Sequence, residues 1–380
     1  MVSFRISKDS PLPLHVQLLD ELRHKIVTGE LKPHDMLPSE LELTETLNIS
    51  RATLQHAWRS AREEGLIYRI AGKGTFVAER VKPSEGLSAV AFIVPEYRDT
   101  FAMNLMTGAE QVLRKQGYHM LFASTDRSLD EENRLLADFA RQRVRGVILV
   151  AVHGSLKDRV LASGKLDLPV VLMDRPINGV VLPCVSSNNY AGGLQAVNHL
   201  IELGHQRILF VARPHMDVWS VSERYRAYQD ALRLHGLQVE PPLLIGRSVE
   251  MSSYEAYAAA DRSEIAPLID RLKSPNPPTA IFAVNDWMAV RVQRAIAEAG
   301  LRNPQDVSVI GFDDLDIAQY QTPPLTTIAQ NARLMGSEAA QRLITLMEGG
   351  TIEEVLTLLP TTLVERGSTA PPIGSSAYSP

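Results

Sequence analysis

Residues 89–94 read Ala-Val-Ala-Phe-Ile-Val, and an amphipathic stretch, Met103–Gln116, follows and is closed by Gly117. A short, wholly apolar run is what a strand buried on both faces looks like, and an amphipathic helix is what covers it. The alternation continues with a strand at His119–Ala123, a helix at Asp130–Arg143 and a strand at Gly146–Val150. Further apolar runs stand near Pro169–Met173, Arg207–Ala212, Thr279–Val284 and Val307–Phe312. The pattern predicts a doubly wound α/β fold with parallel sheets over residues 88–372. That is more chain than one sheet usually supports, so two lobes are expected.

Upstream, residues 1–80 follow another pattern. Leu14–Val27 carries Leu18, Leu22 and Ile26 on one helical stripe. Pro38-Ser39-Glu40-Leu41-Glu42 is a helix start, with Ser39 and Glu42 at capping-box spacing. After a turn at Asn48-Ile49, Ser50 can cap a third helix that Gly65 ends. Leu66–Ile70 and Thr75–Ala78 are β-prone and flank Ala71-Gly72-Lys73-Gly74, a hairpin loop. Three helices and a two-stranded wing are therefore expected over 1–80. A polar linker is expected at 81–87, and a disordered tail, rich in Ser and Pro, at 373–380.

The third helix carries the first functional argument. Leu54, Ala57, Trp58 and Ala61 recur at i, i+3, i+4 and i+7 and form a core-facing stripe, which leaves Arg51, Gln55, Arg59 and Arg62 on or near the opposite face. Arginine can pair with guanine or grip phosphate, and glutamine can pair with adenine. The helix N-terminus adds backbone donors for a phosphate, and Lys73 sits at the wing tip. A small bundle with a solvated basic face fits the charges equally well; the wing and the cap favour DNA.

Composition narrows the class. Of 380 residues 45% are apolar, too many for a disordered chain. Cys184 is the single cysteine, which excludes a disulfide framework and nearly excludes a cysteine-based zinc site. The apolar run Gly146–Val152 is too short to span a bilayer, and the N-terminus lacks a signal-peptide core. A cytoplasmic protein with no membrane contact is expected. The net charge of −5, and the eleven Lys/Arg against eleven Asp/Glu in residues 1–80, mean that positive charge must gather on one face if DNA is bound. His199 and His205 lack the spacing of a helical metal pair and read as structural. No Gly-rich phosphate loop, Gly-x-Ser-x-Gly or His-Glu-x-x-His occurs, so no enzyme, cofactor or metal site is expected.

In the α/β region Asn285-Asp286-x-Met288-Ala289 opens a helix directly after an apolar strand. Ligands bind at the carboxyl ends of such strands, where the Asp286 carboxylate could accept two hydroxyls. Arg224 opens the pattern Arg-x-x-Ala-Tyr-x-x-Ala, and one guanidinium can donate several bonds. Tyr97, Phe101 and Trp287 could supply stacking walls. An acid, an arginine and aromatic faces suit a hydroxyl-rich small molecule such as a sugar. Each has a plainer reading: Asp286 as a helix cap, Arg224 as a surface ion-pair partner, Trp287 as core.

Pro38-Ser39-Glu40-Leu41, Ser50-Arg51-x-Thr53, Glu64-Gly65-Leu66-Ile67 and Gly72-x-Gly74-Thr75-Phe76-Val77 together resemble the winged helix-turn-helix of GntR-type regulators. The resemblance implies that Ser39, Arg51, Thr53, Gln55, Gly72 and Lys73 lie at the DNA. Ala191-Gly192-Gly193, His199-Leu200, Gly204-His205-x-Arg207-Ile208, Asn285-Asp286-x-Met288-Ala289, Asp306–Asp314, Pro323–Ile328 and Val364-x-Arg366-Gly367-Ser368 resemble the sensor of LacI-type regulators, which has the periplasmic sugar-binding-protein fold. This second resemblance implies two lobes joined by three crossings, with effector in the cleft. It makes Asp286 and Arg224 the main polar ligands, with Phe101 and Ser220 beside them and Tyr97, Arg98, Asp174, Arg175 and Asn285 as further ligands. A GntR-type head on a LacI-type sensor is the arrangement of the arabinose-responsive repressor family. The Leu-Pro-x-x-Leu-Ala hinge helix of LacI regulators is missing from the linker. The whole implies a homodimeric repressor on a palindromic operator, tuned by a small sugar. The alternatives are a nucleobase-like ligand, or a sugar-binding module or enzyme with an accessory head.

Overall fold

The computed structural model describes residues 4, 6, 13–63, 65–70, 72–78, 88–97, 100–154, 156–163, 166, 168–246 and 262–373. The expected linker 81–87, the tail from 374 onward and Arg98 lie outside them. The chain divides into two compact units, Met1–Gly86 and Leu87–Pro380.

In the amino-terminal unit α1 (Leu14–Val27), α2 (Glu40–Leu47) and α3 (Arg51–Glu63) close over Leu18, Leu22, Leu54, Ala57, Trp58 and Ala61. The apolar stripe of α3 therefore faces inward and its arginines outward. Ser39 Oγ accepts the Glu42 N–H at 3.2 Å, and Ser50 Oγ accepts the Thr53 N–H at 3.1 Å. Each satisfies a donor that a first helical turn leaves without an intrahelical partner. Gly65, at φ 68°, carries the chain out of α3 in the left-handed region that favours glycine. β1 (Ile67–Ile70) and β2 (Gly74–Val77) then pair antiparallel, Ile67 opposite Val77 and Ile70 opposite Gly74. The other edge of β2 pairs with 34–37, where the Leu37 N–H donates to the Thr75 carbonyl.

The second unit opens with β3 (Ala89–Val94), α4 (Thr100–Lys115), β4 (His119–Ser124), α5 (Leu129–Arg141), β5 (Gly146–Leu149), β6 (Val170–Met173) and β7 (Cys184–Ser187). Then come α6 (Asn189–Glu202), β8 (Ile208–Ala212), α7 (Trp219–Leu234), β9 (Leu243–Leu244), α8 (Arg262–Leu272), β10 (Ala280–Ala283), α9 (Asp286–Glu298), β11 (Ser308–Ile310) and α10 (Asp316–Gln319). β12 (Thr327–Gln330), α11 (Ala332–Met347), β13 (Leu356–Leu359) and β14 (Thr361–Val364) follow. The described strands form two parallel sheets, β13-β7-β6-β5-β3-β4 in one lobe and β11-β10-β8-β9 in the other. The doubly wound, two-lobed form expected from the alternation is thus present. The backbone leaves lobe one after β7, returns after β12 and leaves again between β13 and β14. β12 and β14 pair antiparallel at that passage.

Two features of this unit set its stability. α11 lies on α4 with the backbones touching: a Cβ at Gly336 would stand 2.0 Å from the Leu105 carbonyl oxygen, and one at Gly108 1.9 Å from that of Arg333. His205 is buried in lobe two, its Nδ1 3.0 Å from Thr279 Oγ1 and its Nε2 3.0 Å from the Ala370 carbonyl. Burial pushes its imidazole down to about 4, against the pull of the Ala370 hydrogen bond.

Glycine to alanine in an unhindered helix stabilises by about 0.5–1 kcal/mol. Gly336→Ala is expected to do the opposite, losing about 1–3 kcal/mol because two backbones must separate; the midpoint of urea unfolding measures it. For His205 the folded state refuses a proton that the unfolded chain accepts below about pH 6.5. Its contribution is therefore complete above that pH and declines as pH falls toward 4, by up to about 3 kcal/mol. His205→Gln should flatten the dependence of stability on pH over this window, read from unfolding curves at pH 7, 5.5 and 4.

Candidate functional site

The amino-terminal unit brings most of its expected contact residues together. Ser39, Arg51, Gly72 and Lys73 line one concave surface between the start of α2, the start of α3 and the wing, with Arg69 among them. Gln55, Arg59 and Arg62 line an adjoining depression, again with Arg69. Thr53 lines neither among the described residues; its Oγ1 stands 2.8 Å from Ser50 Oγ, so it supports the helix cap. Arg69 was not foreseen. It points to the basic face because β1 is wound against β2 in the register that buries Ile67. Glu40 lies 3.7 Å from Arg51 and 3.6 Å from Arg69 and ties the two guanidiniums to one acid.

In the second unit a cavity of about 180 Å³ opens between the lobes, at the carboxyl ends of both parallel sheets. Lobe one contributes Glu96 after β3, Arg127 after β4, Asp174 and Arg175 after β6, and Phe101 on α4. Lobe two contributes Arg213 after β8, Ser220 and Arg224 on α7, Asn285 and Trp287 around the start of α9, and Asp313 after β11. Gln330, the last residue of β12, lines it from the passage between lobes.

Arg224 is the most elaborately held of these groups. It is 5% exposed, which rules out a surface ion pair. Its Nε donates to Asn189 Oδ1 at 2.8 Å and its Nη1 to the Val284 carbonyl at 2.7 Å. Nη2 stands 3.5 Å from Asp313 Oδ1, and the guanidinium lies 3.6 Å over the Phe312 ring. Burial pulls its ionisation down, and Asp313 and Asp174 oppose this. Asp313 also accepts a 2.7 Å hydrogen bond from Gln330 Nε2. Asp174 and Asp313 both adopt positive φ, 70° and 118°, conformations that sheet ends rarely hold without surrounding constraint.

Two expected ligands lie elsewhere. Asp286, read as a main polar ligand, is wholly buried and is not part of the cavity wall. Its carboxylate accepts the Leu315 N–H at 2.7 Å and the Thr327 hydroxyl at 2.5 Å, so both oxygens are engaged with α10 and β12. Burial, then the nearby Asp313, push its carboxyl well above the usual carboxylate range. The helix cap is Asn285, whose Oδ1 accepts the Met288 N–H at 2.9 Å. Tyr97 is half exposed and packs edge-on against Phe122 with ring centroids 5.3 Å apart, also away from the cavity wall. Of the expected ligands, Phe101, Asp174, Arg175, Ser220, Arg224, Asn285 and Trp287 line the cavity. Asp313, Gln330, Arg213, Arg127 and Glu96 were missed. Asp313 and Arg213 had a signal, since each directly follows an apolar run, Val307–Phe312 and Arg207–Ala212, and so had to stand at a strand end.

Residues 14–77 match the model for bacterial regulatory proteins of the gntR family, and residues 197–369 match a periplasmic binding protein-like domain. Over 354 residues the chain is 30% identical to the arabinose metabolism transcriptional repressor of Geobacillus stearothermophilus, covering 92% of this chain and 95% of that protein. It is 32% identical over 330 residues to the HTH-type transcriptional regulator CelR of Thermobifida fusca, 84% of this chain and 90% of that protein. A solved complex of transcriptional regulator CelR with cellobiose has a TM-score of 0.64 to this chain at 29% identity, covering 86% of this chain and 93% of that one. With a basic helix and wing in one unit, a two-lobed cavity in the other and a relative matched over 92% of the chain, this chain belongs to the transcriptional repressors that join a GntR-type DNA-binding head to a LacI-type, periplasmic-binding-protein-like sensor.

Proposed function

We propose that this repressor acts in the cytoplasm as a homodimer on a palindromic operator, and that a single-ring sugar in the interlobe cavity sets its grip on that DNA. The observation that carries the reading is the buried Arg224 guanidinium, held by Asn189 and Val284 beside a cavity walled by both lobes. A guanidinium donates to sugar hydroxyls, while Asp174 and Asp313 accept from them. Phe101 and Trp287 offer apolar faces to a pyranose ring. At about 180 Å³ the cavity has room for a small molecule between the lobes.

The mechanism follows from where the wall residues come from. A ligand that bonds Arg224 and Asp174 at once touches both lobes and favours the closed arrangement. It regulates only by the difference in its affinity for the two conformers, so operator and effector must be reciprocally coupled. The proposed role needs no chemical change in the ligand, and we assign the chain no enzymatic activity. Two-fold symmetry of a dimer would present two α3 helices to matched half-sites.

A thermal-shift screen of monosaccharides and nucleobases tests the ligand. A true effector at one hundred times its dissociation constant should stabilise the sensor by about 2.7 kcal/mol. It should also change operator affinity in an anisotropy assay; stabilisation by nucleobases alone would sink the sugar reading. Arg51→Ala should weaken operator binding by about 1–3 kcal/mol and lower its salt dependence, with effector affinity unchanged. Arg224→Lys keeps the charge but loses the planar fork. It should reduce effector affinity by about 10- to 100-fold, measured calorimetrically, while effector-free operator binding stays at the wild-type value.

A further inference from the structure

At the rim of the interlobe cavity three side chains come together that the sugar reading does not use. Among the described residues His153, His215 and Asp217 hold their ligand atoms all within 4.8 Å of one another. His153 follows β5 in lobe one, whereas His215 and Asp217 lie between β8 and α7 in lobe two. No spacing in the sequence announces the group, because its histidines stand on different lobes. His153 Nε2 is 3.3 Å from Asp217 Oδ2, and the two imidazole centroids are 5.5 Å apart. A charge-assisted N–H to carboxylate bond is shorter, about 2.7–2.9 Å. Bonds of about 2.0–2.2 Å to a tetrahedral Zn²⁺ instead set neighbouring donors about 3.3–3.6 Å apart. Two imidazoles and a carboxylate are a donor set that such an ion takes, with the fourth position left to water.

The backbone beneath the cluster is firmly held. The N–H of Val152, next to His153, donates to Glu132 Oε2 at 2.6 Å, and the Val152 carbonyl accepts from the Arg159 guanidinium. Glu132 and Arg159 are buried and bonded to each other. An ion pair taken out of water, costly in itself, thus fixes the residue from which His153 projects. In lobe two the Val218 N–H reaches the His215 carbonyl at 3.4 Å, a turn that leads into α7, the helix of Ser220 and Arg224. The donors stay open to an arriving ion: the side chains of His153 and Asp217 are 47% and 68% exposed. Arg159 and Arg175, which line the same depression as His153 and Asp217, are each paired with an acid, Glu132 and Asp174.

We propose that His153, His215 and Asp217 form a Zn²⁺ site that bridges the two lobes of the sensor. All three donors reach one ion only when the lobes stand together, so the ion favours that arrangement. Metal and effector then act on one equilibrium, and each raises the affinity of the other. His215 also lines the effector cavity, so the bound ion fixes one of its walls. The site stands apart from the sugar reading; its effect on the operator rests on the reading that lobe closure sets the grip on DNA.

Calorimetric titration of Zn²⁺ alone into chelator-treated, untagged, full-length protein tests the site, with Mg²⁺, an ion of oxygen ligands, as control. One Zn²⁺ should bind per chain, and Co²⁺ in its place should give the visible absorption of a four-coordinate ion. His153→Gln and His215→Gln should each weaken Zn²⁺ binding by more than about 10-fold, since loss even of a group that supports a ligand costs that much. His15→Gln with His56→Gln, the stacked imidazole pair of the head, should leave Zn²⁺ affinity unchanged. In an anisotropy assay without sugar, Zn²⁺ should shift operator affinity by about fivefold or more, and His153→Gln should remove the shift. Absence of stoichiometric binding, or an affinity untouched by His153→Gln and His215→Gln, overturns the site and leaves the sugar reading in place. Zn²⁺ bound at these residues with operator affinity unchanged overturns the bridge between the lobes as a regulator. Because no sugar is present in either assay, failure of the sugar screen does not bear on the metal site.

Discussion

A guanidinium taken out of water must recover its hydration in fixed partners. Arg224 recovers it from Asn189, Val284, Asp313 and the face of Phe312. Those partners stand at the start of α6, the end of β10 and the turn after β11, so three separate pieces of lobe two must be in register before the charge is tolerable. Gly193 helps bring α6 close enough: a Cβ there would stand 2.7 Å from Ala227 Cβ and 3.2 Å from Arg224 Cα. The fold thus places a rigid, multiply bonded donor at the wall of the cavity. A donor fixed beforehand loses little freedom when a ligand arrives, so more of the interaction remains for discriminating between ligands.

The neighbouring acids divide the work. Asp286 and Asp313 lie close enough for each to disfavour the other's charge, and the structure resolves this by sending them in different directions. Asp286 turns inward to Leu315 and Thr327, filling a space that exists because Gly311 has no side chain; a Cβ there would meet Asp286 Oδ1 at 2.3 Å. Asp313 turns toward the cavity and accepts from Gln330. Thr327 and Gln330 are the first and last residues of β12, the strand that leads back to lobe one. Both acids are therefore bonded to the passage between lobes, one as a permanent tie and one at the ligand cavity. A ligand that competes for Asp313 acts directly on a residue at that passage.

This division also shows what the sequence could and could not say. Strand and helix positions were legible because burial on both faces leaves an apolar run that water forbids elsewhere: Ala89–Val94 is a strand at those very residues. The caps at Ser39 and Ser50 were legible because their partners are three residues away. Which acid lines the cavity was not. Asn285-Asp286 places an acid at a strand end, but its direction is set by Leu315, Thr327 and the missing side chain of Gly311, contacts 25 to 41 residues distant in the chain. Asp313 and Arg213 each follow an apolar run, which places them at strand ends but does not say where their side chains turn. Their meeting is a property of two sheets whose strand ends converge. Tyr97 failed for the complementary reason: following a strand does not decide which side of the turn a ring lies on, and Phe122 on the edge strand β4 drew it away.

The head meets the same problem of charge with the opposite solution. Its residues 1–80 carry no net charge, yet Arg51, Arg59, Arg62, Arg69 and Lys73 are exposed on surfaces that adjoin one another. Glu40, among them, stands near both Arg51 and Arg69, whose side chains are 77% and 61% exposed. Ion pairs so open to solvent contribute little to stability, so Glu40 is not there to hold the fold. It does hold two long side chains near one place and lowers the positive potential between them. Phosphate contacts supply affinity for any DNA, whereas base contacts supply discrimination. An acid set among the arginines weakens the first more than the second, because a guanidinium with bidentate geometry to a guanine keeps both bonds while a general attraction to the backbone is diluted. A repressor whose grip on its operator is tuned by a small molecule gains from that balance: less of its grip is indiscriminate, and more of it depends on the placement of the recognition helix.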